Sequence, residues 1–420
     1  MTNSRFQSMP LRRVVQSLDN GAWGEDPRGD DTDVFCIRAA DFDYDALRAV
    51  TRKAPSRSIT AAQRERLLLR KGDIVLEKSG GGDHLPVGRA VLFDLDVDAV
   101  CSNFAARLRP TAAVDARFLI FTLASLFGSG ATERCIKQTT GIQNLDTDTW
   151  LASPIAIPNI DEQRRIAGFL DDQVALLDRA IALRQEQLVL LKQQFVVLAD
   201  SSLSLPATGV HTRLGYLLSC VTSGPRGWGD FVTTEGVPFF RSANLRRDAL
   251  TPRLTNLEYV KPPASAAAEQ SRASAHPGDV LIGITGANAG WVTHVADPVL
   301  FGAVVSQHVA LVRSDGKVLD SRWLAHLLSS QGCADQLMAM QYGGTKTQLS
   351  LPNIRDLRVP KVDLIQQQET AHMLDEAAED LRRYEDASGR LINLIQERKQ
   401  ALITAAVTGE FDVTTARSVA

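Results

Sequence analysis

The sequence lacks most of the marks of an enzyme, a membrane protein or a secreted protein. Its 420 residues contain five cysteines. Cys36, Cys101, Cys135, Cys220 and Cys333 are odd in number, scattered and never spaced as CxxC, so they read as reduced and mostly buried, without disulfide or zinc duty. No run approaches the ~18 apolar residues that span a bilayer, and the polar start Met1-Thr-Asn-Ser-Arg5 lacks the apolar core of a signal peptide. A cytoplasmic location without membrane contact is expected. There is no GxxxxGK[ST], HExxH, GxSxG or [DN]PP[YF], so phosphate cradles, zincin sites, nucleophile elbows and the motif that amino-methyltransferases set beside a flipped base are all missing. The seven histidines stand alone. Asp73-Ile-Val-Leu-Glu77-Lys78 approaches the two carboxylates and lysine of a metal-dependent nuclease, but Glu and Lys lack the residue that pattern sets between them.

An excess of charge is also missing. The net charge of −3 argues weakly against a nucleic-acid partner until it is divided along the chain. Residues 1–158 are neutral, 159–209 carry −2, 210–360 carry +3 and 361–420 carry −4. The acid excess lies in the segments read below as helices, which leaves globular parts compatible with local phosphate contacts.

What the chain does have is itself, twice. Trp23-Gly24 matches Trp228-Gly229, Arg38 matches Arg241, and Gly72-Asp-Ile-Val-Leu-Glu-Lys-Ser-Gly80 matches Gly278-Asp-Val-Leu-Ile-Gly-Ile-Thr-Gly286. In the second copy Gly283 and Ile284 replace Glu77 and Lys78, which removes the nuclease-like pattern. Ser102-Asn-Phe matches Ser306-Gln-His, and Leu170-Asp171 matches Leu374-Asp375. An offset of roughly 204 residues is far too long for a solenoid, so the chain reads as two duplicated domains.

Each copy divides into a globular part and a long helix. Residues 1–158 and 210–360 show short β-rich runs broken by Gly and Pro, which predicts α+β domains with mostly antiparallel sheets. Shorter helices are expected at 115–127 and 321–340. Residues 159–209 and 361–420 are helical, opening at Asn159-Ile-Asp-Glu162 and Asp363-Leu-Ile-Gln366, each a capping residue with an acidic or amide side chain three positions on. Their apolar seams run through Ile166, Leu170, Leu177, Ile181, Leu188, Leu191, Phe195 and Leu198, and through Leu374, Leu381, Tyr384, Leu391, Ile395 and Leu402, spaced largely three and four. Seams this long predict coiled-coil packing. Because the chain can double back between them, an antiparallel intrachain pair is one solution, a rod of roughly 45 to 50 Å. Separate packing of each helix on its own domain is the other.

At this point the residues resemble a known family. The loop Thr139-Thr-Gly-Ile-Gln-Asn-Leu145, then Pro154-Ile-Ala-Ile-Pro-Asn-Ile-Asp-Glu162 and a long helix, with the second copy ending in Leu394-Ile-Gln-Glu-Arg-Lys-Gln-Ala-Leu-Ile-Thr-Ala-Ala-Val-Thr-Gly409, is similar to the specificity subunits of type I restriction-modification enzymes. The resemblance implies two target-recognition domains joined by two helices in an antiparallel coiled coil. It implies a non-catalytic subunit that reads double-stranded DNA. Two modification subunits would dock on it to form an adenine-N6 methyltransferase using S-adenosylmethionine, and two restriction subunits would add translocation and cleavage with ATP and Mg²⁺. No cofactor is expected in this chain. The sequence departs from the pattern where Glu162-Gln163 becomes Gln366-Gln367.

Recognition is expected where the copies share position but not chemistry. Arg38 and Asp41 face Arg241, Asn244, Arg246 and Arg247; arginine suits guanine, asparagine suits adenine and aspartate suits cytosine N4. The same residues also suit a solvated turn. Gln143, Asn144, Asn288, Lys346, Thr347 and Gln348 lie in glycine-containing loops, where amides and hydroxyls can read bases. Lys78, Arg89 and Arg226 are candidate phosphate contacts. Trp23 and Trp228 are expected to pack in cores. Two unlike domains on a rod longer than one DNA turn of about 34 Å imply two unlike half-sites around an unread spacer. A coiled-coil adaptor that binds only protein is the competing reading.

Overall fold

Both heptad-patterned segments are continuous helices, Ile160–Leu203 and Leu364–Thr408, in the computed structural model, which describes residues 6–81, 86–139, 141–204, 209–340 and 348–415. Each starts at its expected cap. Asn159 Oδ1 accepts the Glu162 N–H at 3.0 Å and Asp363 Oδ1 accepts the Gln366 N–H at 2.9 Å, relieving backbone donors that have no intrahelical partner.

The chain forms two compact units, Met1–Gln185 with Ser388–Ala420, and Glu186–Ala387. Each long helix therefore contributes one part to each unit. In the first, Ile166, Ala167, Leu170 and Val174 share a core with Ile403, Ala406 and Val407, and Lys399 Nζ binds Asp178 Oδ1 at 2.6 Å. In the second, Leu203 shares a core with Ala371 and Leu374, and Lys192 pairs with Glu385 at 2.6 Å. As numbers rise along one helix they fall along its partner. The pair is antiparallel and intrachain, and each globular part packs on the start of one helix and the end of the other.

In the first unit the main sheet runs in the order Val15–Asn20, Ala105–Pro110, Ile74–Glu77, Ala90–Leu92, Arg48–Ala49, Phe42–Asp43. The second unit repeats the first four positions as Leu218–Ser223, Val309–Ser314, Val280–Gly283, Val292–His294, antiparallel throughout. A short parallel pair recurs beside each, Ala99–Cys101 with Asp33–Ile37 and Val304–Val305 with Val237–Phe240. Gly21 and Gly224 allow the next loop to pass these pairs, since a Cβ there would lie 2.1 Å from Cys101 O and 1.8 Å from Val305 O. The ends of each globular part are tied together by Gln7–Pro10 with Pro154–Ile157 and by His211–Arg213 with Arg358–Pro360.

Two polar devices are built in duplicate. Asp73 is held by Arg109 through two bonds of 2.7 Å, and Asp279 by Arg313 through two bonds of 2.7 Å, with both carboxylates buried. Planar guanidinium and carboxylate match in this bidentate geometry, which offsets the desolvation of the acid. Asp73 is thus taken up in the frame and Lys78 Nζ is turned to Asn20 Oδ1, so the nuclease-like triplet has a structural explanation. The second device is a glutamine clamp. Gln163 accepts from Asp115 N–H at 2.8 Å and donates to Ala113 O and Pro158 O; Gln367 accepts from Asp320 N–H at 2.8 Å and donates to Val318 O and Val362 O. Both are buried, and both lock a long helix to the cap of the shorter helix that packs on its sheet.

Three expectations need correction. The seam is not one stripe throughout: Leu391 is 37% exposed while Ile392 is half-buried, and Leu198 is exposed while Ala199 packs on the second core. A helix with 3.6 residues per turn drifts about 20° per heptad from a strict 3.5 repeat, which moves the packed face on by one residue. Ile166, Leu170 and Leu374 are fully buried in the domain cores; Leu177, Ile181, Leu188, Leu191, Phe195, Leu381, Tyr384, Ile395 and Leu402 are half-buried. The helix expected over 321–340 is two, Ser321–Ser329 and Gln331–Ala339. Ser330 is extended between them, and its hydroxyl caps the second at Cys333 N–H. Trp228 is core, but Trp23 is 40% exposed, with the Arg57 guanidinium 4.8 Å from its ring centre.

Candidate nucleic-acid interface

At the end of the third position of each main sheet, three segments converge through the same backbone bonds. In the first unit Lys78 N–H and Ser79 N–H donate to Phe104 O, both at 3.0 Å, and Leu145 N–H donates to Lys78 O at 2.8 Å. In the second, Ile284 N–H donates to His308 O at 3.0 Å and Leu349 N–H donates to Ile284 O at 2.8 Å. One junction is built twice, and the side chains on it differ.

The first junction carries Asn20, Lys78, Ser79, Asn103, Phe104, Ile142 and Asn144. Lys78 Nζ donates to Asn20 Oδ1 at 2.8 Å, and Ser79 Oγ donates to the exposed Asn144 at 2.6 Å. Phe104 and Ile142 are each 51% exposed. A phenyl ring held outward at a turn is unusual for a soluble surface and suits an apolar contact, such as a thymine methyl or an unstacked base step. Gln143 points the other way: it is buried, with Oε1 accepting the Val87 N–H at 3.2 Å. The segment expected as a flexible loop is a hairpin, Ile136–Thr139 with Ile142–Leu145, and alternation along its second strand buries Gln143 and exposes Asn144.

The second junction carries Thr285, Gln307, His308 and Gln348. Thr285 Oγ1 lies 2.7 Å from His308 Nδ1, Gln307 Nε2 lies 3.1 Å from His308 Nε2, and Gln348 bridges to Thr285. Arg226 and Arg247 are exposed and Arg246 half-buried, with no partner among the described residues. They remain free to meet phosphate. Lys346 and Thr347 lie outside the described residues.

The Arg38 and Arg241 turns flank these junctions and are geometrically alike, with backbone φ/ψ of −116/170 and −115/167 at the two arginines. In the first, Asp41 is 1% exposed; it accepts Arg38 Nε at 2.8 Å, Arg38 Nη2 at 3.1 Å and the Arg38 N–H at 3.0 Å. In the second, Asn244 is fully buried, accepting the Arg241 N–H at 2.8 Å and donating to Arg253 O and Asn256 O. The expectation that Asp41 and Asn244 read bases is therefore corrected: both build the turn from inside. Asn288 belongs with them, donating to Ser242 O at 2.8 Å. Arg89 is also turned inward, its guanidinium 4.7 Å from the Tyr44 ring centre and 5.2 Å from that of Phe127. Beside it Glu77 is pushed above the usual carboxylate range by burial, against the pull of Arg89.

Asn103, Phe104, Gln307 and His308 were not singled out as site residues from sequence. Their signal was present in the match of Ser102-Asn-Phe to Ser306-Gln-His, where the serine persists and the next two residues change. Among the described residues no group of three or more His, Cys, Asp or Glu side chains is placed to hold a metal, and no helix is long and apolar enough to cross a membrane.

No protein-family model matches the sequence, and no curated protein does either. Solved structures do. A chain from a structural study of complex assembly and conformational transition in the type I R-M system is 19% identical, with 97% of this chain and 98% of that one covered at a TM-score of 0.75. The HsdS subunit from Thermoanaerobacter tengcongensis is 17% identical, with 98% of each chain covered at a TM-score of 0.55. The chain shares the fold of these structures, two sheet-rich globular parts on a pair of long helices, the architecture that the sequence resemblance implied.

Proposed function

We propose that the chain is the non-catalytic specificity subunit of a type I restriction-modification complex, reading a bipartite, asymmetric target in double-stranded DNA with one domain per half-site. The observation that carries this is the junction built twice from identical backbone bonds and dressed with Asn20, Lys78, Phe104 and Asn144 in one unit and Thr285, Gln307, His308 and Gln348 in the other. A duplicated frame with unlike polar tips is what two different base sequences require. Arg226, Arg246 and Arg247 supply positive charge on the second unit for phosphate.

The helices suit the scaffolding role. Leu176, Leu183, Leu190 and Val197 follow one another at heptad spacing along the first long helix, and all are more than half exposed. An apolar stripe left open beside an already formed helix pair favours a protein partner, and the modification subunits are the partners the fold suggests. Methyl donor, ATP and Mg²⁺ then belong to the modification and restriction subunits. The complex of this chain with modification subunits should bind DNA with an affinity that falls steeply with salt, because phosphate contacts release counterions. Binding that is absent with and without those subunits would instead support a protein-only adaptor.

A further inference from the structure

The replacement of Asp41 by Asn244 changes what the neighbouring arginine can do. In the first unit Arg38 is occupied: Nε and Nη2 bind Asp41, and Nη2 also donates to Lys53 O at 2.6 Å. In the second unit Asn244 is neutral and its side chain serves backbone groups alone. Arg241 keeps one acidic partner, Glu258, through Nη2, and its Nε is buried without a partner. Arg241 lines a cavity of about 390 Å³ together with Gly227, Asp230, Ser306, Gln307 and His308. Ser306 is 5% exposed, and its Oγ is likewise buried without a partner.

Both orphan atoms are sealed beneath the lining, but the Arg241 side chain is 37% exposed and lines the cavity with Glu258 as its one acidic partner among the described residues. A guanidinium can only donate, so the group that would meet it is an acceptor. Gln307 and His308 place this cavity at the edge of the second junction, and Gly227 and Gly229 line it without side chains of their own. We infer that the cavity around Arg241 and Ser306 is a subsite of the second domain for an acceptor-bearing group of DNA, the O6/N7 edge of guanine or a backbone phosphate. In the first domain the equivalent arginine, Arg38, is already occupied by Asp41. The inference rests on the DNA-reading proposal and adds to it a place and a chemistry.

The test uses the complex of the full chain with its modification subunits, on duplexes carrying the wild-type motif and every single substitution in its second half. Three variants are compared: Arg241→Ala, Ser306→Ala and Asn244→Asp, the last restoring the carboxylate that neutralises Arg38 in the first domain. If guanine is the ligand, Arg241→Ala and Asn244→Asp lower discrimination at one position of the second half by roughly 5- to 100-fold and leave the first half unchanged. If phosphate is the ligand, Arg241→Ala weakens all sequences alike and reduces the salt slope by about 0.9. Ser306→Ala is the control: its sealed hydroxyl reaches no ligand, so DNA binding and motif should match wild type. Wild-type affinity and motif in Arg241→Ala and Asn244→Asp would overturn the subsite. Failure of the wild-type complex to bind any duplex would overturn the DNA-reading proposal itself.

Discussion

Arg313→Met isolates the frame from the reading surface. Asp279 is buried and keeps two bonds of 2.7 Å from Arg313, plus one of 2.7 Å from the His276 N–H. Methionine fills much of the arginine's volume but leaves the carboxylate with a single donor. Removing one partner of a buried pair typically costs about 3–5 kcal/mol, most of it the penalty for the stranded charge. Removing both charges should be far milder, so Arg313→Met with Asp279→Leu should recover most of the loss. Hydrogen exchange of the strand Val280–Gly283 provides the assay. Its opening should become roughly a hundred- to a few thousand-fold more frequent in the single variant and return towards wild type in the double. A single variant costing under about 1 kcal/mol, or a double variant as unstable as the single, would refute the view that a matched ion pair holds each sheet.

Other expectations follow from the same frame. Gln367→Ala strands the Asp320 N–H and frees the carbonyls of Val318 and Val362, so it should cost about 2–4 kcal/mol; urea midpoints would show this, and Gln163→Ala should behave alike. Gly224→Ala drives a Cβ against Val305 O and should lose roughly 1–3 kcal/mol or more, measured by thermal unfolding, whereas a neutral result would contradict the close approach. Phe104→Ala should change stability by no more than about 0.5 kcal/mol, because the ring is half exposed, yet alter base preference in the first half of the target alone when binding to substituted duplexes is compared.

The parts of this molecule that depend on periodicity and local chemistry were legible in the sequence. Heptad seams, both helix caps and the duplication each express themselves over few residues or over many repeats. What stayed hidden depends on where a side chain points. Asp41 and Asn244 looked like readers because they differ between copies; burial turns them into builders, and the difference acts on the arginine next door. Gln143 and Asn144 are neighbours in sequence, and strand alternation alone decides which meets solvent. The seam register escaped because a strict heptad pattern ignores the drift of a straight helix, visible at Leu391 and Leu198. The Phe104 and His308 turn shows in the sequence only as a match of three residues, and exposure at a tight turn cannot be read from three residues.

The central claim is that two unlike surfaces on one duplicated frame read two unlike half-sites. Single-molecule methylome sequencing of a host carrying the chain with its modification subunits tests this most directly. The account predicts methylated adenines within a motif of two different short halves separated by an unread spacer. A continuous motif, or a palindrome, would contradict it.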